Sequence, residues 1–356
     1  MRRTGTAARA AVIVPTFNEV ENLPDLVRLV CEALPDVEIV VVDDASPDGT
    51  ADRAESLAQE FPVRVIRREG ERSLSSAVLR GIAESKSEIC VVMDADLSHP
   101  PGVIPELVKA VEAGADIAVG SRYAPGGAID EWPWRRRLAS RAGTLLAQPL
   151  TGVRDPMAGF FCLRAKLLEG VNLRPRGFKI LLEILARAEP LRVVEIPIRF
   201  EDRGAGVSKF GPRERREFLA QVWTLYRELN AWPWCVAKFL ITGFSGYLVH
   251  MAVMAVVVEV LGGRPNVEGA IAGFTVAMTS NYLINRRWTF RARHVGVTSS
   301  YLKYASSALA GLGIQIGVMT LLGSRPWAWS ATLGITAGTV CNFLLSRLWT
   351  FPRRTR

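Results

Sequence analysis

The sequence predicts two architectures in one chain: an α/β domain on a mostly parallel, Rossmann-like sheet, then an all-α membrane domain of four helices. Three observations predict this. Over residues 10–210, short apolar runs that end in acidic residues alternate with helix-length stretches. Beyond residue 235, four long apolar stretches fall into two similar halves. The charge is also divided unevenly. Residues 231–356 hold 12 Lys and Arg against only Glu259 and Glu268, whereas the first 230 residues hold 32 bases against 33 acids. The formal excess of +9 therefore belongs to the apolar part, which points to a membrane surface and removes nucleic acid as a partner.

The α/β elements follow in order. "AAVIVPTFNE" (10–19) reads as a buried strand that breaks at Pro15. "EIVVVDDASPDGT" (38–50) is a second, with Ile39 to Val42 running into Asp43, Asp44 and a Ser-Pro-Asp-Gly turn. "EICVVMDAD" (88–96) is a third and "ADIAVGSR" (115–122) a fourth. Helices are expected over 21–34, 50–60, 73–86 and 102–113. Alternating strands and helices imply right-handed crossovers, with ligands gathering at the carboxyl ends of the strands. No G-x-G-x-x-G turn or Walker lysine loop follows a strand, which argues against a dinucleotide enzyme and a P-loop NTPase.

The third strand carries the sharpest signal, "VVMDADLSHPP" (91–101). Alternation along a strand sets residues i and i+2 on one side, so Asp94 and Asp96 project together. Like charges that close repel unless a cation neutralises them, and carboxylate oxygens suit Mg²⁺ or Mn²⁺. Asp-x-Asp is a common tripeptide, and taken alone it is better read as two surface aspartates capping a turn before Pro100, so the surrounding motifs have to decide.

Five scattered cysteines with no C-x-x-C pair fit buried thiols in a reducing compartment. The apolar run Ala10–Val14 is shorter than a signal-peptide core, so no cleaved targeting segment is expected.

In the C-terminal part, "SNYLINRRWTF" (280–290) is repeated as "CNFLLSRLWTF" (341–351), and "KFLITGFSG" from Lys238 returns more weakly as "KYASSALAG" from Lys303. The candidate spans are 239–261, 267–285, 304–323 and 327–347; the first and third are long enough for a bilayer core of about 30 Å. The second and fourth are shorter and rich in small residues, as packed membrane helices are. His250, Asn281 and Asn342 are expected to face neighbouring helices rather than lipid. Arg286, Arg287, Arg291, Arg293 and Lys303 follow the second span, and Arg347, Arg353, Arg354 and Arg356 the fourth; the other side offers Arg264 and Arg325. By the positive-inside rule the termini and the middle loop are cytoplasmic. The expected organisation is thus residues 1–212 as the α/β domain, 213–234 ("RERREFLAQVWTLYRELNAWPW") as an amphipathic interface helix, and 235–356 as the membrane domain.

Taken together, "VIVPTFNE", "VVDDASPDGTAD", "MDADLSHPP", "GSRYAPGG" and "GFKILLEIL" resemble the dolichyl- or polyprenyl-phosphate mannose synthases, inverting GT-A glycosyltransferases of family 2. The repeated C-terminal part resembles the GtrA-like membrane domains, on shorter motifs. The resemblance implies transfer of mannose from GDP-mannose to a polyprenyl phosphate at the cytoplasmic membrane face, with the acceptor phosphate as nucleophile. It implies a Mg²⁺ or Mn²⁺ held by Asp94 and Asp96. The third ligand position, often Gln in the family, is Ser98 here. Pro15, Phe17, Glu19, Val42, Asp44, Asp94, Ala95 and Asp96 match nucleotide-sugar positions, with Phe17 standing where many relatives have Tyr. Arg122, Arg136 and Ser140 match catalytic and lipid-phosphate positions, and Arg203 and Lys209 match phosphate-contacting ones. Trp132, Pro133 and Trp134 look like an acceptor loop at the membrane interface, where Trp is favoured. His99 is read as structural. Three alternatives stay open: glucose or aminoarabinose as the transferred sugar, and a lipid carrier or flippase without catalysis. A homo-oligomer through the membrane domain is also left open.

Overall fold

The computed structural model describes residues 8–70, 73–130, 132–174, 178–188, 191–200, 211–260, 267–322 and 327–352. The chain divides into two compact units, Met1–Leu229 and Asn230–Arg356.

The first unit is built on a seven-stranded sheet. Its early elements are β1 (Ala10–Thr16), α1 (Leu23–Ala33), β2 (Val37–Asp43), α2 (Thr50–Leu57), β3 (Val63–Arg67), α3 (Leu74–Glu84) and β4 (Ile89–Val92). There follow α4 (Ile104–Glu112), β5 (Ile117–Ser121), β6 (Ala128–Ile129), α5 (Trp134–Thr151), β7 (Phe161–Arg164), α6 (Ile180–Arg187), β8 (Val193–Pro197), β9 (Arg199–Phe200) and α7 (Pro212–Glu228). The strand order is β3-β2-β1-β4-β7-β5-β8, while β6 and β9 form a separate parallel pair. All pairings in the large sheet are parallel except those of β7, which runs antiparallel between β4 and β5.

β1, β2 and β4 are continuous apolar runs because both faces of the sheet are covered. Val12, Val14, Ile39 and Val41 join α1 and α4 on one face, while Ile13, Val40 and Val42 join α3 and α6 on the other. The four expected helices match α1–α4. Among the described residues five strands escaped the sequence reading: β3, β7 and β8 of the large sheet, and the pair β6 and β9. β3 is a half-buried sheet edge of mixed polarity (VRVIR), and β7 (FCLR) has only four residues.

One expectation needs correcting. The third strand ends at Val92, so Asp94 and Asp96 lie on the loop beyond it and strand alternation does not fix where they point. Contacts described below hold them instead.

The 213–234 segment also divides differently. α7 stops at Glu228, Asn230 takes a left-handed φ of +50°, and Trp232–Trp234 already belong to the next helix. The apolar stripe of α7, Phe218, Val222 and Leu225, is buried. Its polar groups are tied to the first unit as well: Tyr226 Oη donates to the Leu146 carbonyl at 2.7 Å, and Glu228 pairs with Arg174 and Arg187. Leu219 and Trp223 remain exposed.

The second unit contains α8 (Trp232–Val260), α9 (Val267–Ile284), α10 (Val297–Leu321) and α11 (Trp327–Leu345). Two segments, Trp232–Val257 and Val297–Leu321, are long and apolar enough to cross a membrane. The repeat is visible in the backbone. α9 and α11 each end in one π-helical turn, Asn285–Thr289 and Ser346–Thr350, over the matching R-x-W-T residues. Phe290 and Phe351, which follow these turns, stack with centroids 5.1 Å apart. Lys238, otherwise an expensive group in an apolar helix, donates to Asn230 Oδ1 at 2.6 Å and to the Trp288 carbonyl at 2.8 Å.

Candidate active site

Parallel pairing of β1, β2 and β4 brings their carboxyl ends to one edge. The loop after each contains a non-glycine residue with positive φ: Asn18 at +59°, Ala45 at +52° and Leu97 at +60°. Left-handed backbone is unfavourable for such residues, and its clustering on one edge marks loops held in set conformations.

On β1 and β2, Pro15 and Val42 are buried and Phe17 and Glu19 are partly exposed. The Glu19 amide donates to Thr50 Oγ1 at 3.0 Å, and its carboxylate accepts from Asn22. Asp43 and Asp44 have different surroundings. Asp43 is buried and accepts from Thr16 Oγ1 at 3.0 Å and from the Ser46 amide at 2.9 Å, which holds the two loops together. Asp44, the nucleotide candidate, meets Arg68 Nη1 at 3.0 Å. Arg68 follows β3, and sequence reasoning missed it together with that strand.

After β4, Asp96 is buried and its Oδ1 accepts from both the Ser98 amide and the Ser98 hydroxyl, at 3.2 and 2.5 Å. Ser98 therefore holds Asp96 in place. The Asp94 amide donates to His99 Nδ1 at 3.3 Å, and a Cβ on Gly159 would come within 2.9 Å of Asp94 Oδ2. Glycine there lets the chain pass directly beside the carboxylate. His99 is 3% exposed and stacks on Phe160 at 5.3 Å. Burial lowers its pKa, opposed by Asp94 and Asp96, and its Nδ1 is an acceptor, so it packs as a neutral imidazole.

Arg122, just beyond β5, is clamped. Its amide and Nε meet Asp155 Oδ2 at 3.1 and 2.8 Å, and Nη2 meets Oδ1 at 2.8 Å. Asp155 is fully buried, and Glu195 accepts from the Asp155 amide and from Ser121 Oγ behind it. Burial works against the Arg122 charge, but Asp155 outweighs it and the pKa rises above its ordinary value. The bonds to Asp155 use Nε and Nη2 and not Nη1.

Beside it, Trp132 is buried against Phe200 with the Arg136 guanidinium 3.9 Å over its ring, and Tyr123 Oη donates to Ser140 Oγ at 2.8 Å. This corrects part of the interface-loop expectation. Trp132 packs inside the site, whereas Trp134 is 69% exposed. Arg203 and Lys209 lie outside the described residues.

Lys179 adds a cation that sequence reasoning did not single out, although it sits in the quoted "GFKILLEIL". Its Nζ donates to the Met157 carbonyl at 3.0 Å. Burial, reinforced by Arg122, pulls its pKa down to about 8, with Asp94 and Asp155 acting the other way. The site thus pairs two carboxylates with several cations.

Among the described residues no group of three or more His, Cys, Asp and Glu could enclose a metal. Asp94 and Asp96 offer hard carboxylate oxygens, the donor type that suits Mg²⁺ or Mn²⁺.

Known proteins resemble this chain in both units. The family described as Glycosyl transferase family 2 matches residues 11–171, and GtrA/DPMS, transmembrane domain matches residues 238–351. The dolichol-phosphate mannosyltransferase of Pyrococcus furiosus is 40% identical over 324 residues, 88% of this chain and 90% of that one. The Saccharomyces cerevisiae enzyme of the same name is 42% identical over 61% of this chain and 86% of its own. The polyprenol monophosphomannose synthase of Mycolicibacterium smegmatis is 41% identical over 60% of this chain and 85% of its own. Among solved structures, a glucosyl-3-phosphoglycerate synthase from Mycobacterium tuberculosis has a TM-score of 0.47 at 17% identity, covering 63% of this chain and 85% of that one.

Proposed function

Because the chain belongs to the dolichol-phosphate mannosyltransferase family, we propose that it transfers mannose from GDP-mannose to a polyprenyl phosphate with inversion. The reaction takes place at the cytoplasmic face of a membrane crossed by all four C-terminal helices. The observation that carries this reading is the meeting of the Asp94–Asp96 loop with Arg122, Arg136 and Lys179 at one sheet edge. Two anionic substrates have to be held together there, and anions need cations.

An oxygen of the acceptor phosphate attacks the anomeric carbon. The bond from that carbon to the diphosphate oxygen breaks, and its electron pair leaves with GDP. The acceptor is already ionised at neutral pH, so no side chain has to remove a proton. His99, buried and engaged by the Asp94 amide, agrees with that. Asp94 and Asp96 would hold a Mg²⁺ or Mn²⁺, which would supply charge neutralisation for the departing diphosphate. Ser98 keeps Asp96 turned toward that position, and Asp44 with Phe17 and Glu19 lines the nucleoside end. Arg122, held by Asp155, presents a guanidinium whose orientation is set before substrate arrives. Arg136 and Ser140 take the acceptor phosphate.

The test uses the purified full chain with labelled GDP-mannose or UDP-glucose and a polyprenyl phosphate. Lipid-linked mannose should form with Mg²⁺ or Mn²⁺ and disappear with a chelator. Product from UDP-glucose alone would replace mannose with glucose, and product undiminished by chelation would remove the metal. In sealed vesicles, transfer from added GDP-mannose should occur only where the cytoplasmic face is outward.

A further inference from the structure

The helices of the second unit form an open pocket of about 390 Å³, within the range of about 300–1,000 Å³ usual for small-molecule sites. His250, Asn281, Tyr304, Gln315 and Asn342 all reach its wall, in predominantly apolar helices. Polar side chains in such helices are costly unless they have partners, so a group of them around a space marks a binding site.

The sequence repeat builds the site twice over. Asn281 and Asn342 occupy matching places in "SNYLINRRWTF" and "CNFLLSRLWTF". His250 and Gln315 lie equally far beyond Lys238 and Lys303, the starts of the weaker repeat, and so do Gly246 and Gly311. Each half therefore contributes an amide, a second hydrogen-bonding side chain and a glycine to one pocket.

The glycines shape it. A Cβ at Gly246 would collide with the Asn281 amide, and one at Gly273 would meet His250 Nδ1 at 2.9 Å. Both polar groups are thus accommodated only because these positions lack a side chain. Asn281 Oδ1 is buried and has no hydrogen-bond partner among the described residues. Such an acceptor is expected to be satisfied by something that enters.

The lining also states what enters. Among the described lining residues none is Asp, Glu, Lys or Arg. An anion would leave its charge unbalanced there, whereas amides, imidazole and phenol supply donors and acceptors at close spacing. That is the complement of neighbouring hydroxyls on a neutral ring. We propose that this pocket binds the uncharged, polyhydroxylated head group of a glycolipid, a hexose carried on an alkyl chain. The site is separate from the catalytic edge, and the inference does not depend on which sugar is transferred there.

The test uses the full chain in phosphatidylcholine vesicles with a photoreactive alkyl mannoside as probe. Cross-linked peptides are identified by mass spectrometry. Label should appear in 243–250, 274–281, 308–315 and 335–342, and excess octyl mannoside should suppress it at least tenfold. Free mannose and octyl phosphate at equal concentration should not. Suppression by free mannose would overturn the lipid source, and suppression by octyl phosphate would overturn the neutral head group. Label confined to other segments would overturn the site. Asn281→Leu and Asn342→Leu should each cut specific labelling about tenfold while sugar transfer at the catalytic edge persists, and unchanged labelling in both would also overturn the proposal. Should either variant misfold, competition on the unaltered chain still decides.

Discussion

Arg122 directs Nε and one Nη at Asp155, and its side chain, only 10% exposed, has little surface to recover solvation if that carboxylate is lost. Breaking such a pair from one side leaves a buried charge uncompensated, at a cost of about 3–5 kcal/mol. Asp155→Ala should therefore lower unfolding free energy by about that amount and reduce transfer as well, both measured on the purified protein. Stability within 1 kcal/mol of wild type, on the order of a surface change, would show the clamp to be dispensable. Lys179 gives a pH prediction. Its pKa of about 8 means the cation is present below that pH and is lost above it. If the charge serves the diphosphate, kcat/KM, which reports the free enzyme, should fall as pH rises through about 8. Lys179→Arg should remove that limb, because guanidinium stays protonated. A limb unchanged in the variant would assign it to another group. The sequence revealed Asp94 and Asp96 because two acids after an apolar strand form a pattern. Asp155 and Lys179 fall in no such pattern, and only the fold around the antiparallel β7 and the start of α6 brings them together.

The sequence outlined the early helices well, because α1, α3 and α4 bury apolar faces at helical spacing. Their seating on the sheet is legible only in the structure. A Cβ on Gly81 of α3 would collide with Ile13 Cγ2 and approach Val42 Cγ2 to 3.0 Å. Both are branched side chains in a packed layer, with no room to turn. Gly81→Ala should therefore destabilise the first unit by about 1–3 kcal/mol, despite alanine's better helix propensity. Chemical denaturation checks the sign, and a stabilised variant would mean that the layer yields. α7 teaches the opposite lesson. Its period was read correctly and its partner was not, because amphipathicity gives an apolar face without saying what covers it. Phe218, Val222 and Leu225 are covered by protein, which leaves Leu219 and Trp223 as the exposed apolar residues of that helix.

At the scale of the whole molecule, the proposed function makes the boundary at Leu229 one between chemistry and anchorage. Every described residue assigned to metal, nucleotide or phosphate precedes it. A chain ending at Leu229 should still mannosylate a short, detergent-soluble polyprenyl phosphate, while losing most activity on long-chain acceptors in bilayers. The reason is that anchoring raises the effective concentration of enzyme and substrate on one surface. A folded truncation that binds GDP-mannose yet is inert on the short acceptor would make the membrane unit part of the catalytic machinery. The two units also differed in legibility. Hydropathy and the repeat pointed to a membrane unit in two similar halves, whereas the pocket depends on glycines whose role appears only when the helices are packed.

The antiparallel insertion of β7 has a consequence for synthesis. β4 finds β1 as soon as it is made, but its other edge remains bare until Phe161–Arg164 emerge, and β5 must wait for the same segment. While residues 93–160 are being added, the nascent chain carries an unpaired, wholly apolar strand edge, the kind of surface that seeds association between chains. The sheet is complete once β8 ends at Pro197, before α8 begins at Trp232. Ribosome-arrested chains exposing residues 1–160 should accordingly be cut quickly by protease and retained by chaperones, while those exposing 1–229 resist. If the shorter chains resist equally, the bare edge is shielded by the chain itself, and translation of this protein passes through no vulnerable interval.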